Sequence, residues 1–553
     1  MQPDAIQVIE QGGPPPANGA LMSVGGKAFN LLKLAAIGFP VPPGFVLPTS
    51  MCSRWIAGEA PSPDAFRTLI SGAVERLERA SGLGFGDPRK PLLVSVRSGA
   101  PASMPGMLDT VLNVGLTHAT LPGLIALTGN PRLAWDCYLR LIECYAETVQ
   151  GLALAPFSEA AAKALAAAGA DSLAELDTLS LRGLVSRHLE IFEDAAGEAF
   201  PDDPYKQLRH AVDAVFRSWD SERAKTYRRI NKLEGLPGTA VTVQRMVYGN
   251  AGPRSGAGVG FTRNPATGEK RLYLDFAFDA QGEDVVAGRR PLAPPAELAR
   301  LLPEVSGSLT LASARLERAF CDAQDFEFTV EEGQLFLLQT RDAKRSAWAC
   351  LKIAVDMARE GVIAPDEALR RLKGLDLSTI VRRRVTGVHG DAIARGMAAG
   401  IGVATGIVAL SVAQARASAA QGCKVILVRG GITTDDIDGI ALAGGVLTAH
   451  GGRTSHAAVV ARELGKVAIV GCRDLQISGD EASCMIGGKH FVNGDEITLD
   501  GETGRIYAGA VEVSEERPQD ELAQVAAWSS GAGSAADAPI SVIEAKDHPA
   551  ESS

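Results

Sequence analysis

The sequence predicts a multidomain protein in which an α+β block precedes a smaller α/β domain. The first observation is length, because 553 residues at roughly 150 per domain correspond to about three or four domains. The second is a change of pattern along the chain. Helical periodicities and alternating strands fill residues 1–345, whereas residues 385–510 are rich in Gly and Val with short apolar strands.

Composition excludes several classes of protein. Hydrophobic residues form 46% and charged residues 22% of the chain, which excludes a mostly disordered protein. The net charge of −10 makes the chain a poor binder of nucleic acid. No apolar run reaches the 18 or so residues of a membrane span, and the N-terminus lacks a signal-peptide pattern. The eight cysteines are scattered without a C-x-x-C pair, so we expect reduced thiols, no zinc site and a cytoplasmic location.

The elements of the first block follow from local patterns. Gly25 and Gly26 open a helix over residues 27–37, which Gly38-Phe39-Pro40 stops. A buried strand over residues 92–96 ends in Arg97-Ser98-Gly99, before a loop at 100–108 that contains two prolines and a glycine. The remaining predicted elements are helices at 133–150, 159–168 and 208–232, a strand at 240–247, and a strand pair at 326–330 and 334–339 around a Gly333 turn.

The second domain has shorter elements. Its predicted strands lie at 406–410, 424–428, 445–448, 467–470 and 496–499, with one helix at 457–464 after Thr454 and Ser455. A helical linker at 347–372, broken near Gly361, joins the two parts. The predicted division is therefore 1–345 for the first block, with a helical subdomain at about 131–235, then 346–384 for the linker, 385–512 for the second domain, and 513–553 for a junction and a disordered tail.

The segment from Gly451 to Arg462 carries the strongest chemical signal. Two glycines allow a tight turn, and Thr454 or Ser455 can cap the helix that follows. His456 then falls in the first helical turn, where free N–H groups and the helix dipole favour an anion such as a phosphorylated imidazole. The residues alone are also compatible with a structural role for His456, in which it only caps the helix or fills a gap in the packing. His450 has no comparable context and is interpreted as structural.

A second group of candidates is spread over the first block. Lys27 follows two glycines at a helix start, and Arg97 can reach a phosphate from the end of its strand. Nucleotide-bound Mg²⁺ takes one or two protein oxygens, which Glu327 and Gln339 can supply from neighbouring strands, with Arg341 beside them. Each residue alone is equally compatible with a solvated strand charge. No G-x-x-x-x-G-K-[ST] motif is present, which excludes a P-loop.

Long segments of the chain resemble the pyruvate phosphate dikinase family, in the same order, over residues 25–510. They are residues 25–27 (Gly-Gly-Lys), 38–45 (Gly-Phe-Pro-Val-Pro-Pro-Gly-Phe), 93–100 (Leu-Val-Ser-Val-Arg-Ser-Gly-Ala), 103–110 (Ser-Met-Pro-Gly-Met-Leu-Asp-Thr), 227–232 (Tyr-Arg-Arg-Ile-Asn-Lys), 261–270 (Phe-Thr-Arg-Asn-Pro-Ala-Thr-Gly-Glu-Lys), 280–288 (Ala-Gln-Gly-Glu-Asp-Val-Val-Ala-Gly), 338–341 (Leu-Gln-Thr-Arg) and the His456 segment.

The resemblance implies an ATP-grasp-type nucleotide-binding block followed by a swivelling β/β/α phosphohistidine domain. In that family ATP and inorganic phosphate react at the first site, and the histidine receives the β-phosphoryl group, leaving AMP and pyrophosphate. The histidine domain then swings to a barrel domain and phosphorylates pyruvate. The resemblance implies that His456 carries the phosphoryl group and that Thr454 is the site of a regulatory kinase/phosphatase. It implies five nucleotide-binding residues: Lys27, Arg97, Glu327, Gln339 and Arg341. Of these, Glu327 and Gln339 would also bind Mg²⁺.

The sequence departs from the family after about residue 515, where the barrel should begin. We therefore expect the first half-reactions only, with a separate barrel protein or another acceptor in trans. Three alternatives stay open: a phosphoenolpyruvate synthase-like chain that uses water, a regulatory homologue that only binds nucleotide, and a truncated gene product. Arg453 and residues 462–465 resemble the synthase more than the dikinase. Rifampicin phosphotransferases are excluded because the linker is too short for an antibiotic-binding domain. A lesser departure is the loop at 430–436, which lacks the family's acidic, Pro-containing stretch.

Overall fold

The computed structural model describes residues 5–102, 104, 108–286, 290, 292–386, 391–432, 436–453 and 456–531. Within these residues five β-sheets and eighteen α-helices form a mixed α/β structure of several parts. The fold class predicted from the sequence is thereby confirmed.

A five-stranded antiparallel sheet forms one wall of the first block. Its strands are β1 (Gln7–Ile9), β2 (Gly44–Leu47), β3 (Val94–Gly99), β4 (Thr110–Val114) and β5 (Ala240–Arg245), in the spatial order β1-β2-β5-β3-β4. The strand predicted from Leu92 with its end at Arg97-Ser98-Gly99 begins two residues later, at Val94, where pairing with β5 starts, and ends at Gly99. The strand predicted over 240–247 ends two residues earlier, at Arg245.

The opposite wall is a four-stranded antiparallel sheet. It contains β6 (Gly256–Phe261), β7 (Tyr273–Phe278), β8 (Gln324–Glu331) and β9 (Gln334–Asp342), in the order β7-β6-β8-β9. The glycines of β6 have a packing reason. A Cβ at Gly258 would lie 2.5 Å from the Phe328 ring, and one at Gly260 would lie 2.4 Å from the Phe326 ring. The aromatic rings of β8 therefore cover the bare backbone of β6.

Helices surround these sheets, and one predicted helix is in fact two. The helix predicted over 208–232 breaks after Ser218, because the Ser221 side chain caps a new helix by accepting from the Ala224 N–H. The helices are α1 (Leu21–Ala36), α2 (Thr49–Ile56), α3 (Pro63–Ser81), α4 (Leu121–Thr128), α5 (Pro131–Thr148), α6 (Ala155–Ala168), α7 (Thr178–Ala196), α8 (Pro204–Ser218), α9 (Glu222–Ile230), α10 (Gly282–Val286), α11 (Pro295–Leu301) and α12 (Pro303–Phe320).

The linker begins with α13 (Ala347–Arg359) and α14 (Pro365–Leu372), which Gly361 separates at a φ of +69°. A strand, β10 (Arg382–Val385), then leads into the second domain. The break near Gly361 is the one that the sequence predicts.

The second domain has three layers, in which the main sheet lies between a small sheet and helices. The small sheet holds β17, β18 and β19, and the main sheet has the order β11-β21-β20-β13-β14-β15-β16-β12 with β13 to β16 parallel. The strands are β11 (Ala394–Arg395), β12 (Met397–Gly400), β13 (Val403–Ala409), β14 (Val425–Arg429), β15 (Gly445–Thr448), β16 (Val467–Val470), β17 (Leu475–Ile477), β18 (Ser483–Ile486), β19 (Lys489–Val492), β20 (Glu496–Asp500) and β21 (Arg505–Ala508); the helices are α15 (Val412–Ala420), α16 (Ile437–Leu442) and α17 (His456–Glu463).

The chain then returns to the linker. Strand β22 (Val513–Glu516) pairs antiparallel with β10, and α18 (Gln519–Gly531) packs on α13 and α14 through Leu522, Val525 and Trp528. Residues 513–531 are thus folded, and residues 532–553 of the predicted disordered tail lie outside the described residues. All eight cysteines are free thiols. None of the described helices combines the length and apolarity required to cross a membrane.

Candidate functional site

A cleft of about 690 Å³ lies between the two sheets of the first block, and the second domain closes one side of it. This volume lies in the range of small-ligand sites, about 300–1,000 Å³. Four of the residues predicted from the sequence line it: Lys27, Arg97, Glu327 and Gln339. From the second domain, Gly431, Ile432, His450 and Gly451 line the same cavity.

Lys27 reaches the cleft because Gly25 lets α1 approach the end of β3. Gly25 has a φ of +74° and a ψ of 163°, which L side chains do not adopt, and the Gly26 N–H donates to the Ala100 carbonyl at 2.9 Å. A Cβ at Gly25 would lie 1.7 Å from the Gly99 carbonyl oxygen. The glycine pair in the sequence therefore marks a place where two backbones touch.

Replacing Gly25 with alanine is expected to destabilise the protein by roughly 2 to 5 kcal/mol, because backbone strain and steric overlap add. Gly58→Ala is the matched control, since Gly58 also has a positive φ, of +84°, but has no atom near its Cβ position. Chemical denaturation of both variants measures the difference. Equal stability of the two variants would show that the contact between Gly25 and Gly99 is unimportant.

The Lys27 ammonium lies among other charges of the cleft. The pKa of Lys27 is lowered to about 8. Burial is the largest influence, the neighbouring Arg97 and Arg341 act in the same direction, and Glu327 opposes them. These four side chains are therefore close enough to interact electrostatically. Burial and two neighbouring arginines all disfavour the charged form of Lys27, so an anionic ligand that offsets these positive charges would be stabilised here.

Raising the pH is expected to weaken anion binding through Lys27. The ammonium deprotonates as the pH rises through about 8, whereas an unperturbed lysine stays charged up to about pH 10. The dissociation constant of a non-hydrolysable ATP analogue should therefore rise from about pH 7 to about pH 9. Lys27→Arg keeps its charge over this range, and its affinity should stay flat. An equally steep pH dependence in Lys27→Arg would contradict the assignment.

Glu327 and Gln339 face one another across β8 and β9, where a shift of register follows Glu327. Neither side chain hydrogen bonds to another described residue, so their oxygens are available to a ligand. No group of three or more His, Cys, Asp or Glu converges within the described residues. A carboxylate and an amide oxygen without further protein ligands suit Mg²⁺, which keeps water and phosphate oxygens in its shell.

Arg341 lies next to this pair and binds Asp325. Its Nε and Nη2 atoms both lie 2.8 Å from Asp325 Oδ2. Burial raises the pKa of Asp325, and the Arg341 guanidinium counteracts this effect. Asp325 and Glu327 are alternate residues of β8 and project from the same face. The sequence interpretation noted that face but did not select Asp325, whose role becomes visible through the contact with Arg341.

The loop that precedes His456 is fastened to the first block. The Arg453 N–H donates to Asp275 Oδ2 at 2.8 Å, and Arg453 Nη1 lies 3.4 Å from Asp275 Oδ1. The guanidinium of Arg453 also lies 4.5 Å from the centre of the Tyr273 ring. Burial raises the pKa of Asp275 and the charge of Arg453 lowers it. The carboxylate thus has a cationic partner across the interface between the two parts.

His456 is the first residue of α17, after the carboxyl end of β15, which is where ligands bind in parallel α/β sheets. The His456 side chain, Thr454 and Ser455 lie outside what the structure describes. Arg462, at the other end of α17, is 3% exposed. It donates from Nη2 to the Arg453 carbonyl at 2.9 Å and from Nε to the Ala399 carbonyl at 3.3 Å. This arginine ties the helix to the loop before it.

A buried polar cluster behind the cleft was not predicted from the sequence. Arg140 of α5 binds both carboxylate oxygens of Asp284, at 3.2 and 3.1 Å, and its Nε lies 3.0 Å from Asp136. These contacts hold α10, whose Gly282 and Glu283 line the cleft, against the helical part of the block. The sequence signal that could have revealed this cluster is the segment 280–288, which contains Asp284. This segment is one of those that resemble the family, but the resemblance assigns it no role.

Two antiparallel sheets around a cleft lined by Lys27 and Arg97, with a separate α/β domain docked on it, define an ATP-grasp-type nucleotide-binding protein. Comparison with family models agrees. Residues 58–295 match the pyruvate phosphate dikinase AMP/ATP-binding domain, and residues 422–504 match the mobile domain of PEP-utilising enzymes. The chain therefore carries the AMP/ATP-binding domain of pyruvate phosphate dikinase and the mobile domain of PEP-utilising enzymes.

Curated relatives carry the same name. The chain is 41% identical over 509 residues to pyruvate, phosphate dikinase of Clostridium symbiosum, covering 91% of this chain and 58% of that protein. It is 40% identical over 509 residues to the chloroplastic pyruvate, phosphate dikinase 1 of Arabidopsis thaliana, covering 91% and 53%. For pyruvate, phosphate dikinase of Rhizobium meliloti the values are 40% over 518 residues, 91% and 58%. The chain thus spans little more than half the length of these relatives.

Proposed function

We propose that the chain uses ATP and inorganic phosphate to phosphorylate His456, with release of AMP and pyrophosphate. The observation that carries this proposal is the shared cavity. Lys27, Arg97, Glu327 and Gln339 line it from the nucleotide-binding block, and the loop leading to His456 lines it from the mobile domain. A donor site and the backbone that carries the acceptor therefore meet at one place. The proposal keeps the predicted division of the chain at about residues 345 and 385.

In the proposed reaction an imidazole nitrogen of His456 attacks the β-phosphorus of ATP. The bond from the β-phosphorus to the α–β bridging oxygen breaks, and AMP leaves with that oxygen. An oxygen of inorganic phosphate attacks the γ-phosphorus and breaks its bond to the β–γ bridging oxygen, which stays on the β-phosphorus, so that pyrophosphate forms and a phosphoryl group remains on His456. Lys27, Arg97 and Arg341 bind and neutralise phosphate oxygens, since positioning and charge neutralisation dominate phosphoryl transfer. Glu327 and Gln339 would hold Mg²⁺, which neutralises charge on the phosphates when bound. The mobile domain then carries the phosphoryl group away.

The final acceptor is proposed to be pyruvate or another small molecule, bound by a barrel-type domain outside these 553 residues. Such a domain would act in trans where it is a separate chain. The relatives support pyruvate as the acceptor, since they are named pyruvate, phosphate dikinase. The proposal also keeps Thr454, two residues before His456, as a site for a regulatory kinase/phosphatase, and a cytoplasmic location, which eight free cysteines support.

A single-turnover assay tests the function. The purified chain is incubated with Mg²⁺ and β-labelled ATP, with and without phosphate, and AMP, pyrophosphate and protein-bound label are quantified. We expect AMP and label in equal amounts, and pyrophosphate only when phosphate is added. Formation of phosphate from ATP without added phosphate would favour the synthase-like alternative that uses water. A well-folded chain that binds the nucleotide but forms no AMP would contradict the proposal.

A further inference from the structure

His450 lines the nucleotide cleft, although its neighbours in the sequence do not predict a function for it. Its side chain is exposed, and it borders the same cavity as Lys27, Arg97 and Glu327. Of the mobile-domain residues that line this cavity within the described ranges, His450 alone has a polar side chain, because the others are Gly431, Ile432 and Gly451. Among these described lining residues, it therefore offers the mobile domain a side chain that can contact a bound anion.

The backbone of His450 is held in place at both of its polar atoms. Its N–H donates to the Gly430 carbonyl at 2.9 Å, and its carbonyl accepts from the Thr448 hydroxyl at 2.7 Å. Thr448 is fully buried at the end of β15. Three residues after His450, the contact between Arg453 and Asp275 fastens the loop to the nucleotide-binding block. The imidazole therefore projects from a fixed point at the rim of the cleft.

We propose that His450 is a further catalytic residue, which donates a hydrogen bond from its imidazole to a phosphate oxygen in the cleft. This inference rests on the proposed function. A neutral or protonated imidazole carries at least one N–H donor, and a phosphate oxygen is a charged acceptor, which makes the bond stronger than one between neutral groups. The phosphate is either one of the nucleotide's own or the inorganic co-substrate.

The position of His450 on the mobile domain determines which step it affects. Lys27 and Arg97 remain in the cleft whether or not the mobile domain is docked, whereas His450 arrives together with His456. Its hydrogen bond therefore forms during phosphoryl transfer and contributes little to the capture of nucleotide by the first block. The expected signature is a slower transfer step with nucleotide affinity nearly unchanged.

The test compares His450→Ala and His450→Gln with wild type and with His490→Gln. His490 is an exposed histidine on β19 that does not line the cleft, so it serves as the matched control. Single-turnover labelling of the protein from β-labelled ATP should be roughly 10- to 100-fold slower in His450→Ala. His450→Gln keeps a side-chain donor and should recover part of this loss. The dissociation constant of a non-hydrolysable ATP analogue should change less than about twofold.

Two measurements, the labelling rate and the phosphate dependence of pyrophosphate formation, identify the phosphate that His450 contacts. If it is the nucleotide's own phosphate, the labelling rate falls at every phosphate concentration; if it is the co-substrate, more phosphate is needed for half-maximal pyrophosphate formation. Wild-type labelling kinetics in His450→Ala, or a loss explained entirely by weaker analogue binding, would overturn this inference while leaving the proposed function intact. An unlabelled wild-type chain would overturn both.

Discussion

Replacing His456 with alanine is expected to abolish phosphorylation of the protein by ATP. The imidazole nitrogen is the proposed nucleophile, and alanine offers none. The start of α17 also supplies unpaired backbone N–H groups, which stabilise the added phosphoryl anion. Acid-labile protein label from β-labelled ATP should fall to background, while the affinity for a non-hydrolysable analogue is retained because Lys27 and Arg97 are unchanged.

The control for this variant is His490→Ala, which removes an exposed histidine of the same domain away from the cleft. It should be labelled like wild type. Retention of label in His456→Ala, with a fold that binds the analogue normally, would remove His456 as the carrier.

Replacing Lys27 with methionine is expected to slow protein labelling by roughly 100- to 1,000-fold, the range for losing one cationic or hydrogen-bonding stabiliser of the transition state. Methionine keeps the length of the side chain and therefore the packing of α1 on β3. Because burial of the ammonium opposes its charge in the folded protein, the melting temperature should not fall. The slower labelling would then reflect weaker phosphate binding and slower phosphoryl transfer, and not a less stable fold.

Lys33→Met provides the matched control on the same helix. The Lys33 ammonium lies 4.3 Å from the centre of the Phe320 ring, on a part of α1 that does not line the cleft. Its substitution should leave labelling within about twofold of wild type, because the contact with Phe320 is weak and lies away from the cleft. A Lys27→Met variant as active as Lys33→Met would contradict the role given to the cleft cation.

Local patterns predicted much of the fold. Gly25 and Gly26 were predicted to open the helix that carries Lys27; α1 begins earlier, at Leu21, but its helical geometry is interrupted at Gly25. The turn at Gly333 marked the strand pair that carries Glu327 and Gln339. Boundaries were less accurate where pairing partners decide them. The strand predicted from Leu92 begins at Val94 because pairing with β5 starts there, and no local pattern near Leu92 carries that information.

The parts of the site that local patterns missed depend on contacts between distant segments. Asp275 and Arg453 are 178 positions apart and meet only because the second domain docks on the first block. In the sequence, Asp325 is not distinguished from other acidic residues in strands. Only its ion pair with Arg341 in the folded protein distinguishes it. His450 was interpreted as structural because its own neighbours in sequence are uninformative. Its place at the cleft depends on the same docking.

Locating the phosphoryl group on the wild-type chain tests the central claim most directly. Trypsin cleaves after Arg453 and Arg462 and releases residues 454–462, a peptide with a single histidine, His456. After incubation with ATP, Mg²⁺ and phosphate, mass spectrometry at neutral pH should find this peptide phosphorylated on His456, with loss of the group on brief acid treatment. An acid-stable phosphate on Thr454 or Ser455, or an unmodified peptide from a chain that has consumed ATP, would contradict the account.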